Sequence, residues 1–367
     1  MNPSVNSNKS CNEKILVINP GSGSTKIALY DSENELLTLS VKHPTEEISA
    51  FDSIIAQREF RRKCIHEALV EKGFNPADVA VVVGRGGPIR PLKSGTYEVD
   101  DVMVNELTVN FAAEHASLLG GLLARDFADQ AGVKAYITDP VCVDEMIPLA
   151  RLSGYPGIQR KSLAHALNIK AVARRTQKQV GKPYSESRLV IAHLGSGISI
   201  TAHDCGHMTD VSNANSGGPY SPERSGGLPI CELLEWVEAK GLSARDAKKV
   251  FTKKGGLFAY TGTIHANEVE DKLLAGDQDS KLFYDGMIYQ IAKEIGAMAA
   301  SLRGNLDAVI ITGGLAFADY MVNSLRDYVS FLGKYIVFPG EDEMGALRDA
   351  GLRVLRNEEL PESIGDK

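Results

Sequence analysis

Stretches of consecutive apolar residues alternate with amphipathic stretches along this chain. A fully apolar run at residues 79–83 predicts a buried strand, and further strands are predicted at 134–138 and 307–311. Apolar residues at helical spacing predict the longest helices, at residues 51–72, 105–129, 161–179 and 282–303, the second of them interrupted near Gly120 and Gly121. Because strands alternate with helices, the pattern predicts a layered α/β protein.

A strand–turn–strand pattern with a Gly-Ser-Gly turn occurs twice in the chain. The first copy reads ILVINPGSGSTKIALYD from Ile15 to Asp31, and the second reads LVIAHLGSGISITAHD from Leu189 to Asp204. Each copy predicts a hairpin, so we expect mixed rather than purely parallel sheets. A tight turn of small residues lets backbone N–H groups surround an anion. The two copies therefore predict a duplicated domain that holds a phosphate chain between its halves.

The composition is ordinary for a soluble globular chain that is long enough for two domains. Of its 367 residues, 43% are apolar and 24% are charged. The net charge of −7 argues against nucleic acid or an anionic membrane as a partner. The five cysteines form no C-x-x-C pair, the N-terminus lacks the apolar segment of a signal peptide, and no apolar run is long enough to span a membrane. We therefore expect a reduced, cytoplasmic protein.

Polar side chains follow the first of the two turns. Hydroxyl groups and one ammonium group are supplied by Ser22, Ser24, Thr25 and Lys26. Phosphoryl transfer requires such donors, because negative charge must be held while it migrates. Neither turn matches a Walker A loop or the G-x-G-x-x-G of dinucleotide-binding folds. One turn alone is compatible with an ordinary hairpin, but two equivalent copies favour phosphate binding.

Two glycines follow the predicted strand at 307–311, in the sequence Thr312-Gly313-Gly314. Glycines at the end of a strand allow a flat ligand, such as a nucleoside, to lie against the backbone. A tight turn from strand to helix would use the same residues, so this motif alone leaves both interpretations open.

Three cationic side chains are candidates for contacts with phosphate or carboxylate oxygens. Arg85 in GRGGP and Arg224 in SPERSGGLP lie in loops rich in glycine and proline, where functional groups are commonly held. The planar guanidinium group matches the oxygen pairs of both ligands. His165, within a predicted helix, is more typical of a structural histidine when it is considered alone.

Two carboxylates, Asp139 and Glu343, follow predicted strands and are candidates for holding Mg²⁺. Mg²⁺ takes one or two protein carboxylates, while phosphate and water complete its shell. Neighbouring acids are the alternatives at both places, namely Asp144, Glu145, Glu341 and Asp342. The H-x-C-x-H run at 203–207 lacks a fourth ligand at a usual spacing, so we expect a turn there and no metal.

Six segments of the chain together resemble the acetate kinase family of the sugar kinase, Hsc70 and actin superfamily, and within it the butyrate kinase branch. They are NPGSGSTKIALYD, GRGGPIRPLKSGTYEV, ITDPVCVDEM, RLSGYPGIQRKSLAHALNIKAVARR, HLGSGIS and PERSGGLP. The resemblance implies two duplicated ribonuclease-H-like (actin-like) α/β domains with mixed sheets and a central cleft. It places an N-terminal domain at 14–149, to which 346–367 return, and a C-terminal domain with the nucleotide site at 150–345.

The resemblance also implies a reaction and the roles of individual residues. ATP and Mg²⁺ would bind in the cleft, and a short-chain carboxylate would be converted reversibly to an acyl phosphate. The catalytic positions of the family are matched by Arg85, Asp139, His165 and Arg224. Its nucleotide-binding positions are matched by Asn19, Ser22, Ser24, Lys26, His193, Gly195, Gly197, Gly313 and Gly314. Its metal side is matched by Asp139 and Glu343, with Glu341 as the alternative to Glu343.

Two departures from the family pattern bear on the site. Gly23 stands where the family usually has serine or threonine, so one phosphate-side hydroxyl group is missing. Ala164 stands where an aromatic residue usually precedes the histidine, and together with Gly87 it predicts a larger acyl pocket. We therefore expect butyrate or a branched acid to be preferred to acetate, with overlap, since an added methylene gives only about 1–3 kcal/mol of discrimination.

The charge of the acceptor separates the remaining hypotheses. A carboxylate is ionised at pH 7, so it needs cations beside the γ-phosphate rather than a general base. Arg85, His165 and Arg224 fit that requirement. A sugar kinase of the same superfamily, with Asp139 as base, and an actin-like nucleotide switch remain alternatives. We expect a small-molecule carboxylate as partner, no nucleic acid or membrane, and a homodimer or larger homo-oligomer.

Overall fold

A computed structural model describes residues 13–366, and these form two compact units. The first unit comprises the residues up to Arg90, Gly95–Pro140 and the chain from Glu343 onward, and the second comprises Pro91–Ser94 and Val141–Asp342. The first unit is therefore discontinuous in sequence, because its last segment follows the whole of the second. The expectation that the N-terminus is not a signal peptide concerns residues that lie, up to residue 12, outside the described range.

Within residues 13–366, the first unit forms a six-stranded mixed sheet in the order β3-β2-β1-β4-β6-β5. Its elements are β1 (Lys14–Pro20), β2 (Ser24–Asp31), β3 (Asn34–Lys42), α1 (Thr45–Ser49), α2 (Arg58–Glu71), β4 (Val81–Arg85), β5 (Thr96–Glu98), α3 (Asp101–Thr108), α4 (Leu118–Ala131) and β6 (Lys134–Thr138). β1 pairs antiparallel with β2 and parallel with β4, so the predicted hairpin and the mixed sheet are confirmed.

The second unit forms a five-stranded sheet in the order β11-β10-β9-β12-β13 and a small hairpin of β7 and β8, within the described range. Its elements are α5 (Pro148–Arg151), β7 (Leu152–Tyr155), β8 (Ile158–Gln159), α6 (Ala166–Arg175), α7 (Gln177–Val180), β9 (Arg188–Leu194), β10 (Ile198–Asp204), β11 (His207–Val211), α8 (Ile230–Ala239), α9 (Ala244–Lys253), α10 (Gly256–Thr261), α11 (Ala266–Leu274), α12 (Gln278–Ser301), β12 (Ala308–Gly313), α13 (Asp319–Val329) and β13 (Lys334–Pro339). The last helix, α14 (Glu343–Leu355), packs against β1 and β4 of the first unit.

The two large sheets share a topology. In each, a hairpin (β1–β2 or β9–β10) is extended by a third antiparallel strand on one side, and its first strand pairs in parallel with a later strand (β4 or β12) on the other. The duplication predicted from the two Gly-Ser-Gly turns is confirmed at the level of the fold. Among residues 13–366, no helix is both long and apolar enough to cross a membrane.

The central strands form the cores because they are apolar on both faces. Residues 15–18 of β1, 189–192 of β9 and 308–311 of β12 are at most 1% exposed. In the first unit, α4 and α14 both pack against β4. Burying a valine or isoleucine side chain contributes about 1.5–3 kcal/mol, so these runs fix the sheets and the positions of their carboxyl ends.

The prediction of a helix over 105–129, interrupted near Gly120 and Gly121, is wrong in the limits of the helix and in the place of the interruption. The structure has two helices, α3 and α4, separated at 109–117, and Gly120 and Gly121 lie inside α4. A Cβ atom at Gly120 would lie 2.2 Å from the carbonyl oxygen of Arg85, and one at Gly84 would lie 2.1 Å from that of Gly120. These glycines therefore permit α4 to approach β4 closely, rather than end the helix.

The helix predicted over 161–179 is also wrong in its start. α6 begins at Ala166, and His165 occupies the N-cap position with φ −78° and ψ 60°. His165 is therefore outside the helix, contrary to its expected position. The turn expected at 204–206 is confirmed, with Cys205 and Gly206 at φ 49° and 87°. Among the described residues, no group of three or more His, Cys, Asp or Glu side chains could hold a metal ion.

Candidate active site

The first Gly-Ser-Gly turn joins β1 to β2, and its tip is exposed. The backbone N–H of Gly21 donates to the carbonyl oxygen of Ser24 at 2.7 Å and closes the turn. Ser22 lies at the exposed tip. The exposed Lys26 lies opposite Asn19 in the strand register, so both side chains leave the same face of the sheet. These four predicted phosphate-side residues therefore lie at one end of the hairpin.

Thr25 faces away from this surface. It is fully buried, and its Oγ1 lies 2.8 Å from Nε2 of His43 and 3.3 Å from the guanidinium of Arg61. The prediction that its hydroxyl group serves phosphate is wrong, because β2 alternates and turns this side chain into the core. Sequence reasoning missed Arg61, which is 1% exposed and donates to the carbonyl oxygen of Gly21 at 2.8 Å. Nothing in the sequence distinguishes it from its neighbouring cations on α2, namely Arg58, Arg62 and Lys63.

At the carboxyl ends of β1 and β4, three of the predicted site residues meet. The guanidinium of Arg85 holds the carboxylate of Glu343 with both terminal nitrogens, at 3.0 and 3.1 Å. The side-chain amide of Asn19 donates to the same carboxylate at 2.7 Å. β1 and β4 are adjacent parallel strands, which places Asn19 beside Arg85, and α14 brings Glu343 to them at its first residue. Glu343, rather than Glu341, is therefore the acid beside the first turn.

A histidine that sequence reasoning missed lies near Arg85. Nδ1 of His115 is 2.8 Å from the hydroxyl group of Ser117, just before α4. Burial and then the charge of Arg85 lower the pKa of His115. The imidazole is therefore neutral at pH 7, and the site gains no further positive charge from it.

Asp139 directly follows β6 and is buried, with 1% of its surface exposed. In the register, Thr138 of β6 pairs with Arg85 of β4, so Asp139 lies at the same sheet edge as Arg85. Its φ of 39° is unusual for a residue other than glycine, and the N–H of Gly95 donates to its Oδ1 at 3.0 Å. A strained backbone that holds a buried carboxylate at a strand end is a feature of functional sites.

The second Gly-Ser-Gly turn joins β9 to β10 and lies under the guanidinium of Arg224. A Cβ atom at Gly197 would lie 2.6 Å from Cζ of Arg224, so only glycine leaves room for this contact. Nη1 of Arg224 donates to the carbonyl oxygen of Ala214 at 3.2 Å and to Oδ1 of Asn215 at 3.0 Å. Its Nε is buried and makes no hydrogen bond to the described residues. Burial lowers the pKa of Arg224, yet a guanidinium keeps its charge.

Two histidines stack beside the second turn. The rings of His165 and His193 are 4.0 Å apart and 14° from parallel. Nδ1 of His165 lies 3.0 Å from the hydroxyl group of Ser199. The amide nitrogen of Asn168 donates to Nδ1 of His193 at 3.0 Å, so His193 carries its proton on Nε2. That Nε2 lies 3.1 Å from Oε1 of Glu341 but is not aligned for a hydrogen bond.

A cavity of about 490 Å³ adjoins the second turn. Its lining includes Gly195, Ser196, Gly314, Asn267 and Glu270. Its size and its mixture of apolar and polar side chains suit a nucleoside. Gly313 does not share this role, since a Cβ atom there would lie 2.4 Å from the carbonyl oxygen of Leu194, and its φ is 90°. Of the two predicted glycines, Gly314 lines the cavity and Gly313 permits close packing on β9.

The departures at Gly87 and Ala164 have different surroundings. A Cβ atom at Gly87 would lie 2.7 Å from Leu118, so the glycine is needed for packing against α4 and opens no room for substrate. The expectation that Gly87 enlarges an acyl pocket is wrong for that reason. Ala164 is 4% exposed and packs in an apolar cluster with Val143 and Met146. Its effect on an acyl pocket stays a prediction.

The sequence matches known proteins over nearly its full length. The acetokinase family signature matches residues 153–337. The chain is 44% identical over 352 residues to a protein named probable butyrate kinase 2 from Caldanaerobacter subterraneus subsp. tengcongensis, covering 96% of this chain and 99% of that protein. It is 44% and 45% identical to butyrate kinases 1 and 2 of Clostridium acetobutylicum, over 94% of this chain and 98% of each of them.

Solved structures with the same fold include an acetate kinase and a propionate kinase. The acetate kinase of Porphyromonas gingivalis gives a TM-score of 0.74 at 20% identity, covering 93% of this chain and 99% of that one. The propionate kinase of Francisella tularensis gives 0.72 at 18% identity, covering 92% and 98%. At these identities the likeness establishes the fold.

Proposed function

The chain belongs to the acetokinase family, and from that premise we propose that it transfers the γ-phosphoryl group of ATP to a short-chain carboxylate. An oxygen of the acid attacks the γ-phosphorus, and the bond from that phosphorus to the β,γ-bridging oxygen breaks. The products are an acyl phosphate and ADP, and the reaction is reversible. The observation that carries this proposal is the 44% identity to curated butyrate kinases over 96% of the chain, so butyrate or a branched acid is the proposed acceptor.

Arg85 is the residue proposed to hold the acid. It already presents both terminal nitrogens to the carboxylate of Glu343, which is the contact that a substrate carboxylate would make. His165 and Arg224 are proposed to stabilise the transferring group beside the second turn. The buried, unpartnered Nε of Arg224 supports this role, because buried donors without an acceptor are uncommon in folded proteins and a ligand oxygen would satisfy this one.

Asp139 and Glu343 are the residues proposed to hold Mg²⁺. Both carboxylates belong to the first unit and lie at the ends of its sheet or on the helix beside it. A magnesium ion that takes most of its ligands from phosphate and water needs only one or two carboxylates, so this pair fits it. When bound, Mg²⁺ neutralises charge on the phosphate oxygens.

A panel assay tests the function. The protein is incubated with ATP, Mg²⁺ and acetate, propionate, butyrate, isobutyrate or glucose in turn. ADP release reports phosphorylation of any acceptor, and hydroxylamine traps acyl phosphates. We expect kcat/KM to be higher for butyrate or isobutyrate than for acetate, and no phosphorylation of glucose. Phosphorylated glucose would favour the sugar kinase, and bound ATP without any acyl phosphate would favour the nucleotide switch.

We also propose that the chain forms a homodimer or a larger homo-oligomer. Apolar side chains that are 64–77% exposed cluster on α5 and the β7–β8 hairpin, namely Leu149, Leu152, Tyr155 and Ile158. An exposed apolar patch of this kind is typical of a surface that associates.

A further inference from the structure

A buried cation without an acidic partner lies beneath the first Gly-Ser-Gly turn. Arg61 is 1% exposed, and all its hydrogen-bond acceptors are neutral oxygens. They are the carbonyl oxygens of Gly21 at 2.8 Å, Ser22 at 2.9 Å and Ser24 at 3.3 Å, the hydroxyl of Thr25 at 3.3 Å, and Oε1 of Gln57 at 2.8 and 3.0 Å. Among the described residues, no carboxylate forms an ion pair with this guanidinium.

A buried charge of this kind is costly, and proteins rarely keep one without a counter-ion. The other cations of α2 show the usual solution, since Arg58 pairs with Asp126 and Arg62 pairs with Glu59. The position of Arg61 therefore calls for an anion that the chain itself does not supply.

The hydrogen bonds of Arg61 also determine which way the turn faces. The carbonyl oxygens of Gly21 and Ser22 point inward to Arg61, and that of Gly23 points inward to the backbone N–H of His43 at 3.0 Å. In a trans peptide the N–H of the next residue points the opposite way, and no described peptide is cis. The N–H groups of Ser22 and Gly23 are therefore directed away from Arg61, as in backbone nests that bind anions.

We propose that Arg61 is a positioning residue for nucleotide phosphate and that the phosphate chain is the anion that balances its charge. Arg61 holds the carbonyl side of the turn, so the N–H side is already arranged before the nucleotide binds. Its charge acts across the turn through a poorly solvated interior, where electrostatic interactions are stronger than in water. The inference rests on the proposed function, because its ligand is the phosphate chain of ATP.

The variant Gln57→Glu separates charge from structure. The glutamate keeps an acceptor oxygen for both contacts with Arg61 and adds a negative charge, so the turn keeps its hydrogen bonds while the cation becomes balanced. If Arg61 were merely structural, this ion pair would leave ATP affinity unchanged. We expect the thermal midpoint of the variant without nucleotide to equal or exceed that of the native protein. We expect the Kd for ATP with Mg²⁺, measured by calorimetry, to rise at least fivefold while the KM for butyrate changes less than twofold.

Two further variants complete the test. Arg62→Gln changes the net charge by the same amount on the exposed side of α2, and we expect native ATP affinity. Arg61→Lys keeps the charge but cannot reach all the carbonyl oxygens, so we expect an intermediate Kd. If Gln57→Glu does not fold, Arg61→Lys decides, through the same comparison of the Kd for ATP with the KM for butyrate.

The outcomes separate this inference from the proposed function. A folded Gln57→Glu variant that binds ATP as tightly as the native protein overturns the role of Arg61, whatever acid is phosphorylated. Native protein that binds no ATP overturns it too. Weaker ATP binding by Gln57→Glu supports it even where the native protein makes no acyl phosphate, a result that would overturn the proposed function alone.

Discussion

The second glycine of each Gly-Ser-Gly turn, Gly23 or Gly197, has different surroundings in the two turns. At Gly23 no atom lies within 4 Å of where a Cβ would stand, so the position tolerates a side chain. At Gly197 the same atom would lie 2.6 Å from the guanidinium carbon of Arg224. The sequence shows the two turns as copies, but only at Gly197 does an arginine occupy the space that a Cβ would take.

We expect Gly197→Ala to lower kcat at least tenfold with little change in the thermal midpoint. The added methyl group displaces the flexible end of Arg224 rather than backbone, so the fold accommodates it while the charge moves. Gly23→Ala is the matched control and should keep native kcat. Steady-state kinetics with butyrate and ATP measure kcat for both variants. An Arg224→Ala variant shows how far kcat falls when the guanidinium is absent. Equal kcat in the two alanine variants would contradict the role of Gly197.

The stability of the first unit should depend on the titration of His43. Burial and then the charge of Arg61 lower the pKa of His43 from 6.5 to about 4. The unfolded chain therefore takes up a proton at a higher pH than the folded protein. The stabilisation is complete above pH 6.5 and is lost as the pH falls towards 4.

We expect the free energy of unfolding to fall more steeply between pH 6.5 and pH 4 in the native protein than in a His43→Gln variant. Glutamine can keep a hydrogen bond to Thr25 but does not titrate. Urea unfolding at pH 7, 5.5 and 4.5 measures the free energy of unfolding of each protein. The contribution of the carboxylates is common to both proteins, so it cancels in the difference between them. Parallel curves would rule out His43 as a titrating group.

Much of the site could be predicted at this scale, and the failures have physical causes. Asn19, Arg85 and Glu343 do meet, because strand ends and a helix start gather in one place. Thr25 and Arg61 could not be placed, since one residue of register or one turn of helix decides whether a side chain faces a ligand or the core.

At the scale of elements, close packing of α4 on β4 holds Arg85 in position. Gly84 and Gly120 face each other, and any side chain on either would meet backbone of the other element at 2.2 Å or less. Arg85 is the last residue of β4, so a shift between these elements moves it directly. The position of Arg85 at this end of the sheet therefore depends on two residues that have no side chain, Gly84 and Gly120.

We expect Gly120→Ala to lower the free energy of unfolding by about 1–3 kcal/mol, because the methyl group would overlap the carbonyl oxygen of Arg85. Helix propensity alone would give the opposite sign, a gain of about 1 kcal/mol. Gly296→Ala in α12 is the matched control, since its Cβ would meet no atom within 4 Å, and it should show that gain. Urea denaturation compares the two variants, and a stabilised Gly120→Ala would contradict the packing argument.

The elements that the sequence analysis overlooked include three edge strands. β3, β5 and β11 lie at the margins of their sheets. An edge strand is covered on few sides, so it lacks the continuous apolar run that identified β4, β6 and β12. Central strands could be predicted from their apolar runs, whereas β3, β5 and β11 are defined by their pairing with β2, β6 and β10.

For the whole molecule, the exposed apolar patch on α5 and the β7–β8 hairpin predicts self-association. We expect light scattering to give at least a dimer for the native protein and a smaller species for Tyr155→Asp. Phe331→Asp is the matched control, because Phe331 is 81% exposed but lies outside the patch. Tyr155 is 71% exposed, so neither change should destabilise the fold. An unchanged assembly in Tyr155→Asp would exclude this patch as the interface.

The position of α14 has a consequence for biosynthesis. A ribosome delivers the chain from its N-terminus, so β1, β4 and Arg85 emerge long before the helix that covers them. Gly351 of that helix packs within contact distance of Val83 and Ile15, and Glu343 supplies the carboxylate that Arg85 holds. The nascent first unit must therefore wait, with part of its core uncovered, until translation has passed residue 342 and the last helix has cleared the exit tunnel. That carboxylate reaches Arg85 only after residue 343 has emerged.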